Sequence, residues 1–354
     1  MLKSIHYTRG FAALLVVMFH FSFMYIGKVE PYNRVFLNGG FGVDLFFLIS
    51  GFIITYVTAE KGNVAGFFLK RFFRIYPLFL FILVISSIFL VRYNVHPIWT
   101  MIKSGMFILQ DYNRPAPAFD YNFIGPAWTL SYETWFYFVF GMAMIINHKH
   151  RVLIASTILL AQVFLLQLTF TGSVSLNSSY VAALGDSSYV DHALRFFSTT
   201  LHLEFLLGMW LCEAFIRGWM KVRNAISCPM IMLLLALSGW LYFSDVVKGY
   251  GLTEFYLIAL PLFFAIIMYE SNFKISDSRV LQFFGNISFS IYITHFFIMY
   301  LLLEHPPYYW SEAANLTKLV TSTLIAIAFA YILHRLVELP FIKIGKNLQF
   351  NYLH

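Results

Sequence analysis

Hydrophobic positions in this sequence run in long blocks rather than in short alternating stretches. Ten blocks of about 17–24 residues are long enough to cross a bilayer as α-helices. They cover approximately 9–26, 37–58, 72–91, 126–146, 152–170, 196–216, 229–244, 252–269, 285–303 and 317–337. A further run, 97–110, is too brief and too polar at its ends to span, so it lies in the interface or re-enters. The pattern predicts an all-α, polytopic integral membrane protein with about ten transmembrane helices. It reads as a single membrane-embedded domain over residues 1–354. No internal repeat, low-complexity tract or appended soluble domain is evident.

Composition removes the alternatives. Apolar residues make up 60% of the chain and charged residues 12%, against about 45–50% and about 25% in soluble proteins. A water-soluble enzyme, a disordered chain and a nucleic-acid-binding domain are all excluded. The 41 Phe, 22 Tyr and 7 Trp read mostly as lipid-facing and interfacial packing. The net charge of +7 is largely topological: with the N-terminus inside, sixteen of the 24 Lys and Arg fall on the cytoplasmic side and eight outside. That bias predicts both termini in the cytoplasm. Cys212 and Cys228 make neither a disulfide framework nor a metal cluster, and no span carries metal-ligand spacing. No metal is expected, and no cleavable signal peptide.

Ionisable groups inside apolar spans cost a few kcal/mol each on insertion scales, which makes them the first functional candidates. His20, Asp44, Glu133, His202, Glu204 and His295 fall well inside spans; Arg9, Arg71, Arg74, His334 and Glu338 fall near cytoplasmic ends. Arg9 and His20 are eleven residues apart, so they share a helix face at a separation of about 16 Å. Two readings are open: a charged mouth leading to a buried base, or a snorkelling arginine and an unrelated histidine facing the bundle. Arg71 and Arg74, at i and i+3, share a face suited to phosphate recognition, or simply anchor the span. Glu133 lies at a depth comparable to His20 and either orients a histidine, acts as acid or base, or makes a structural hydrogen bond with a neighbour such as Ser131. Asp44 sits among Gly39, Gly40, Gly42 and Gly51, where close helix packing accounts for it as well as substrate contact does. His295 is a substrate contact or a packed histidine. His202 and Glu204 diverge by about 100° and do not easily share a site.

Six segments, in order, resemble acyltransferase family three, the membrane sugar acyltransferases of bacteria. They are "IHYTRGFAALLVVMFHF", "GGFGVDLFFLISGFII", "LKRFFRIYPLF", "PAWTLSYETWFYF", "GNISFSIYITH" and the terminal "RLVELPF". The resemblance covers nearly the whole chain. It implies a ten-helix core in the bacterial inner (cytoplasmic) membrane that moves an acyl group, usually acetyl, from cytoplasmic acyl-CoA to a carbohydrate. The family's functional Arg and His of the first span match Arg9 and His20, its Arg-x-x-Arg matches Arg71 and Arg74, and its Ser-x-Glu matches Ser131 and Glu133. Some relatives carry a C-terminal hydrolase-like domain outside the membrane; this chain ends soon after the tenth span, which favours acylation by the membrane domain alone.

The resemblance and the residues converge on one expectation. Acyl-CoA (acetyl-CoA) is a co-substrate rather than a permanently bound cofactor, with its phosphates near Arg71, Arg74 and Arg9. His20 is the base, Glu133 its orienting partner, and Asp44, Ser131 and His295 are weaker substrate contacts. The acceptor is a hydroxyl of a cell-surface carbohydrate or its lipid-linked precursor. The other reading is a proton-coupled transporter or flippase of a glycan intermediate, which mid-membrane Glu and His also suit; the absence of an inverted repeat and the cytoplasmic cluster of arginines count against it.

Overall fold

In the computed structural model, residues 2–25, 33–60, 62–90, 97–184, 188–244 and 246–353 are described. Lys28, Lys61 and Arg92 of the charge count lie outside the described residues. Every regular element among the described residues is helical. In chain order these are α1 (Lys3–Tyr25), α2 (Asn33–Phe36), α3 (Gly42–Val57), α4 (Val64–Leu90), α5 (Pro97–Gly105), α6 (Trp128–Asn147) and α7 (Arg151–Thr171). They continue with α8 (Tyr189–Phe197), α9 (Glu204–Ile216), α10 (Asn224–Phe243), α11 (Tyr256–Asn272), α12 (Arg279–Glu304), α13 (Asn315–Leu333) and α14 (Leu339–Leu353).

Seven helical stretches among the described residues are long and apolar enough to cross a membrane: Lys3–Tyr25, Gly39–Val57, Val64–Phe89, Gly125–Thr171, Asn224–Phe243, Arg279–Glu304 and Asn315–Gln349. An eighth arises if Tyr189–Phe197 and Thr200–Ile216, bent by 42°, form one span. The difference from ten has local causes. The expected spans at 126–146 and 152–170 are joined by a single 3-10 turn, His148–His150, into one stretch of 47 residues. Within it α6 and α7 fold back on each other, since Trp135 Nε1 donates to Gln162 Oε1 at 3.0 Å across the pair. The expected span at 196–216 breaks into α8, a short 3-10 turn and α9, and the one at 252–269 becomes the 17-residue α11. The run 97–110 yields α5, with Ile98, Trp99, Ile102 and Met106 exposed along one side, the mark of an interfacial amphipathic helix.

Helix starts fall earlier than the apolar runs suggest. α4 begins at Val64, so Arg71 and Arg74 sit two to three turns into a helix rather than at its mouth. α1 begins at Lys3, which brings His6 onto the same helix as Arg9. Ends are set by ordinary chemistry: Gly172, at φ 75°, closes α7, and the Ser278 side chain caps α12 by accepting from the Leu281 amide.

Two glycine pairs set how closely the central helices cross. α1 lies along α12, where a Cβ on Gly10 would come within 2.7 Å of the Gly285 backbone and one on Gly285 within 2.6 Å of the His6 ring. α3 lies along α9, where a Cβ on Gly51 would run into the Phe205 carbonyl and one on Gly208 into the Leu48 carbonyl. Backbone approach of this kind is how membrane helices associate without a hydrophobic driving force. α1 also contacts α3, α11 and α13, so it is the shared wall of the bundle.

Gly51→Ala and Gly208→Ala should each destabilise the protein by about 3 kcal/mol, the upper range for overpacking, because backbone rather than a mobile side chain stands in the way. Thermal unfolding in detergent reads this, with Gly239→Ala as the control, since nothing lies within 4 Å of a Cβ there. Equal melting temperatures for all three would mean that α3 and α9 do not cross at these glycines.

Candidate active site

A cavity of 420 Å³ opens between α1, α3, α4, α6 and α12. Its polar wall is made of His6 and Arg9 from α1, Ser50 from α3, Arg71 and Arg74 from α4, Thr129, Glu133 and Tyr137 from α6, and Tyr292 from α12. Helical spacing explains the grouping: Thr129, Glu133 and Tyr137 are four residues apart and form one stripe, and His6 and Arg9 are three apart on one face. Along α3 the cavity runs from Val43 to Val57, a length of about 20 Å. Four residues singled out in the sequence, Arg9, Arg71, Arg74 and Glu133, therefore meet in one space.

The charges in this space are arranged, not scattered. Glu133 Oε1 accepts from Ser50 Oγ at 2.5 Å and also from the Tyr137 hydroxyl. The Arg71 guanidinium lies 5.7 Å from the centre of the Tyr137 ring and 5.9 Å from that of Phe67, within cation–π range. Its Nε is buried without a hydrogen-bond partner. Arg9 is only partly covered, and it forms cavity wall; it feels the repulsion of Arg74 and the attraction of Glu338 and Glu133. Glu338 is itself fixed: it accepts from Ser290 Oγ at 2.6 Å and faces His334 Nδ1 at 2.7 Å. A π-helical turn, His334–Glu338, joins α13 to α14 and places it there; such turns recur at functional sites. With three arginines and one carboxylate, the wall carries an excess of positive charge.

His20 and His295 form a separate pair. His20 Nδ1 lies 2.8 Å from the Val16 carbonyl and 3.1 Å from His295 Nε2. His295 Nδ1 lies 3.2 Å from the Ile291 carbonyl. Phe296 packs edge-on to both rings, at centroid separations of 4.7 and 5.1 Å. Neither histidine is a wall of the cavity, yet the two features adjoin. A Cβ on Gly42 would meet the Ala12 carbonyl and the Val16 side chain, so the Val43 end of the cavity reaches the depth of Val16, whose carbonyl holds His20. Tyr292 connects them: it lines the cavity, its ring is 6.2 Å from that of His295, and its hydroxyl meets Thr129 Oγ1 at 2.8 Å and the Pro126 carbonyl at 3.0 Å.

Other expectations end elsewhere. The partners of Glu133 are Ser50 and Tyr137; the groups against His20 Nδ1 are Val16 and His295, so the orienting role expected of Glu133 toward His20 has no hydrogen bond behind it. Ser131, about 200° around the helix from Glu133, donates to the Phe107 carbonyl at 2.5 Å and ties down the loop before α6. Asp44 is fully buried away from the cavity, where its Oδ1 accepts from the Gly251 amide at 2.9 Å. It shares its surroundings with Glu204, also fully buried, whose carboxyl lies against its own. His202 faces the Phe196 carbonyl at 3.1 Å, among aromatic rings. Among the described residues no three His, Cys, Asp or Glu side chains come together as a metal site.

His6, Ser50, Thr129, Tyr137 and Tyr292 are cavity residues that the sequence reading does not single out. His6 precedes the apolar run, and its i, i+3 spacing from Arg9 is the signal that points to it. Tyr137, four residues after Glu133, carried the same kind of signal. Ser50, in an otherwise apolar run, carried none.

Comparison with known proteins accords with this picture. Residues 2–335 match the family model described as "Acyltransferase domain". A putative O-acetyltransferase of Staphylococcus aureus (strain COL) is 24% identical over 377 residues, covering 95% of this chain and 56% of that protein. The O-acetyltransferase OatA of S. aureus (strain NCTC 8325 / PS 47) is 24% identical over 370 residues with the same coverage, 95% and 56%. The acyltransferase MdmB of Streptomyces mycarofaciens is 30% identical over 150 residues, 40% of this chain and 38% of its own. The chain spans about half the length of the first two relatives, 56%. No solved structure matches. With the family model matched over residues 2–335, this polytopic membrane chain belongs to the acyltransferase family.

Proposed function

We propose that the protein moves an acyl group, acetyl in the first instance, from acyl-CoA to a hydroxyl of a cell-surface carbohydrate or its lipid-linked precursor. The observation that carries this reading is the cavity whose wall brings Arg9, Arg71 and Arg74 together with Glu133 and whose Val43 end lies at the depth of Val16, the residue whose carbonyl faces His20 Nδ1. The names of the S. aureus relatives, as O-acetyltransferases, favour acetyl. Ten spans with both termini cytoplasmic fit this reading: the seven stretches, the bent pair, the division of Gly125–Thr171 at His148–His150, and α11. Reporter fusions at Asn113 and Ser178 should then read as outside and one at His148 as inside. A cytoplasmic signal at Ser178 reverses the orientation.

Each residue has a task. Arg71, Arg74 and Arg9 take the phosphates of acyl-CoA at the cytoplasmic end, where a planar guanidinium pairs with two oxygens at once. Glu133, clamped by Ser50 and Tyr137, balances the arginine charge and offsets the repulsion among the guanidiniums when no anion is bound. The apolar walls of α3 carry the pantetheine arm toward Val43. There His20 removes the proton of the acceptor hydroxyl as its oxygen bonds to the thioester carbon. The carbon–sulfur bond breaks, and the proton passes from His20 to the departing sulfur. Transfer is direct. A covalent route needs a nucleophile beside a base; Ser131 is turned to the Phe107 carbonyl, and neither Cys212 nor Cys228 lines the cavity.

His20→Ala should lose product by about 10²-fold or more, the scale of a lost general base, while expression and detergent behaviour stay as in the wild type. The assay is turnover of acyl-CoA by detergent-purified protein with no membrane gradient. Product at the wild-type rate in this variant would remove His20 from the chemistry.

Arg71→Ala and Arg74→Ala should each weaken acyl-CoA binding about tenfold, the loss of a charge-assisted hydrogen bond. Lysine at either position should restore only part of the affinity, because it lacks the planar fork. Calorimetry with a non-hydrolysable acyl-CoA analogue measures this. Unchanged affinity in both alanine variants would reduce the two arginines to topology anchors.

A further inference from the structure

The hydrogen bonds around the histidine pair determine where each ring carries its proton. A backbone carbonyl only accepts, so His295 Nδ1, facing the Ile291 carbonyl at 3.2 Å, holds the hydrogen. A neutral imidazole has a single N–H, which leaves His295 Nε2 with a lone pair. That lone pair meets His20 Nδ1 at 3.1 Å, and the same Nδ1 meets the Val16 carbonyl at 2.8 Å. Two acceptors face one nitrogen, so His20 carries its hydrogen on Nδ1 and presents a bare Nε2.

We infer that His295 is a positioning residue that locks His20 in the Nδ1–H tautomer and accepts its proton charge while the acyl group is transferred. The inference rests on the acyltransferase reading and on His20 as the base. A general base needs a fixed orientation and a free lone pair at once, and both come here from a neutral partner. When His20 Nε2 takes the hydroxyl proton, His20 becomes an imidazolium whose Nδ1–H bond to His295 Nε2 strengthens, and the charge spreads over two rings. When Nε2 passes that proton to the leaving sulfur, both rings return to their starting state, so His295 is neither consumed nor altered. The surroundings hold this geometry. His295 is fully buried, Phe19 and Phe296 close on His20 edge-on at 5.0 and 4.7 Å, and Phe296 also closes on His295. Phe296 in turn presses on Gly125, where a Cβ would meet its ring; this fixes the pair to the turn that begins α6.

The test separates an acceptor from a mere packing group. In His295→Leu the packing volume is kept and the acceptor lost; kcat should fall about 10²-fold with acyl-CoA affinity by calorimetry unchanged within about twofold, as Arg71 and Arg74 are untouched. In His295→Gln the side-chain oxygen can accept from His20 Nδ1, and kcat should return to within tenfold of the wild type. Wild-type kcat in the leucine variant overturns the proposal, and so does a glutamine variant as slow as the leucine one with donor affinity intact. Should the leucine variant fail to fold, nitrogen-15 NMR of histidine-labelled wild-type protein decides: His20 as the Nδ1–H tautomer is expected, and the Nε2–H tautomer overturns the lock. A fully active His20→Ala protein would defeat the reading of His20 as base while leaving the tautomer measurement to stand or fall separately.

Discussion

A charge inside a bilayer must face protein or water-filled space, and that constraint organises the whole bundle. Arg9, Arg71, Arg74 and Glu133 lie on four residues of three different helices, and every one turns to the same 420 Å³ cavity. None of α1, α4 or α6 can rotate without carrying a charge into lipid, at a cost of a few kcal/mol or more. The orientation of three helices is thereby fixed by electrostatics. The glycine crossings at Gly10–Gly285 and Gly51–Gly208 then fix how closely α12 and α9 approach. Burial of apolar surface cannot do this work alone, since lipid is as apolar as the core.

The same constraint explains what the sequence reveals and what it hides. Apolar runs mark where helices cross, so most of the spans are legible. Their boundaries are not, because a helix does not stop where hydrophobicity does: α4 continues back to Val64 through Arg71 and Lys70, and α6 passes to α7 through a turn of three residues. Arg9, Arg71, Arg74 and Glu133 stood out because ionisable groups in apolar runs are rare. Asp44 and Glu204 stood out by the same rule, but rarity does not tell which charges meet. The partner of Asp44 is the Gly251 amide, some two hundred positions away, and Tyr137 and Ser50 are polar residues of a kind that membrane helices also use for packing. The histidine pair was equally hidden: His20 and His295 lie at opposite ends of the chain, and only the close approach of α1 and α12 at Gly10 and Gly285 brings them together.

The two polar centres answer to different physics. The Asp44 carboxyl, with Glu204 beside it, holds the turn between α10 and α11 through the Gly251 amide, at a φ of 120°. Ser178 donates to the Tyr250 carbonyl of that same turn at 2.6 Å. This centre is closed and fully buried, and it fastens loops to α3. The arginine cavity is open to small molecules and has unpartnered polar atoms on its wall, the donor Arg71 Nε and the His6 ring nitrogen Nε2. A buried donor left without a partner costs about 1–3 kcal/mol, a cost that makes structural sense where a ligand oxygen completes the set.

In the proposed reading, that division also explains why the base, His20, is held by a histidine and a backbone carbonyl. A carboxylate against His20 would place a second anion at the depth of Val16, beyond the reach of the arginines at the opposite end of the cavity, and would have to be desolvated there. A neutral imidazole, as we propose for His295, fixes the ring, specifies the tautomer and takes a share of charge only during the reaction. Glu133 meanwhile stays where three guanidiniums and two hydroxyls offset its charge. On the proposed function, positioning the base and balancing the donor's phosphates are thus separate tasks on separate residues, with Tyr292 as the side chain that touches both centres.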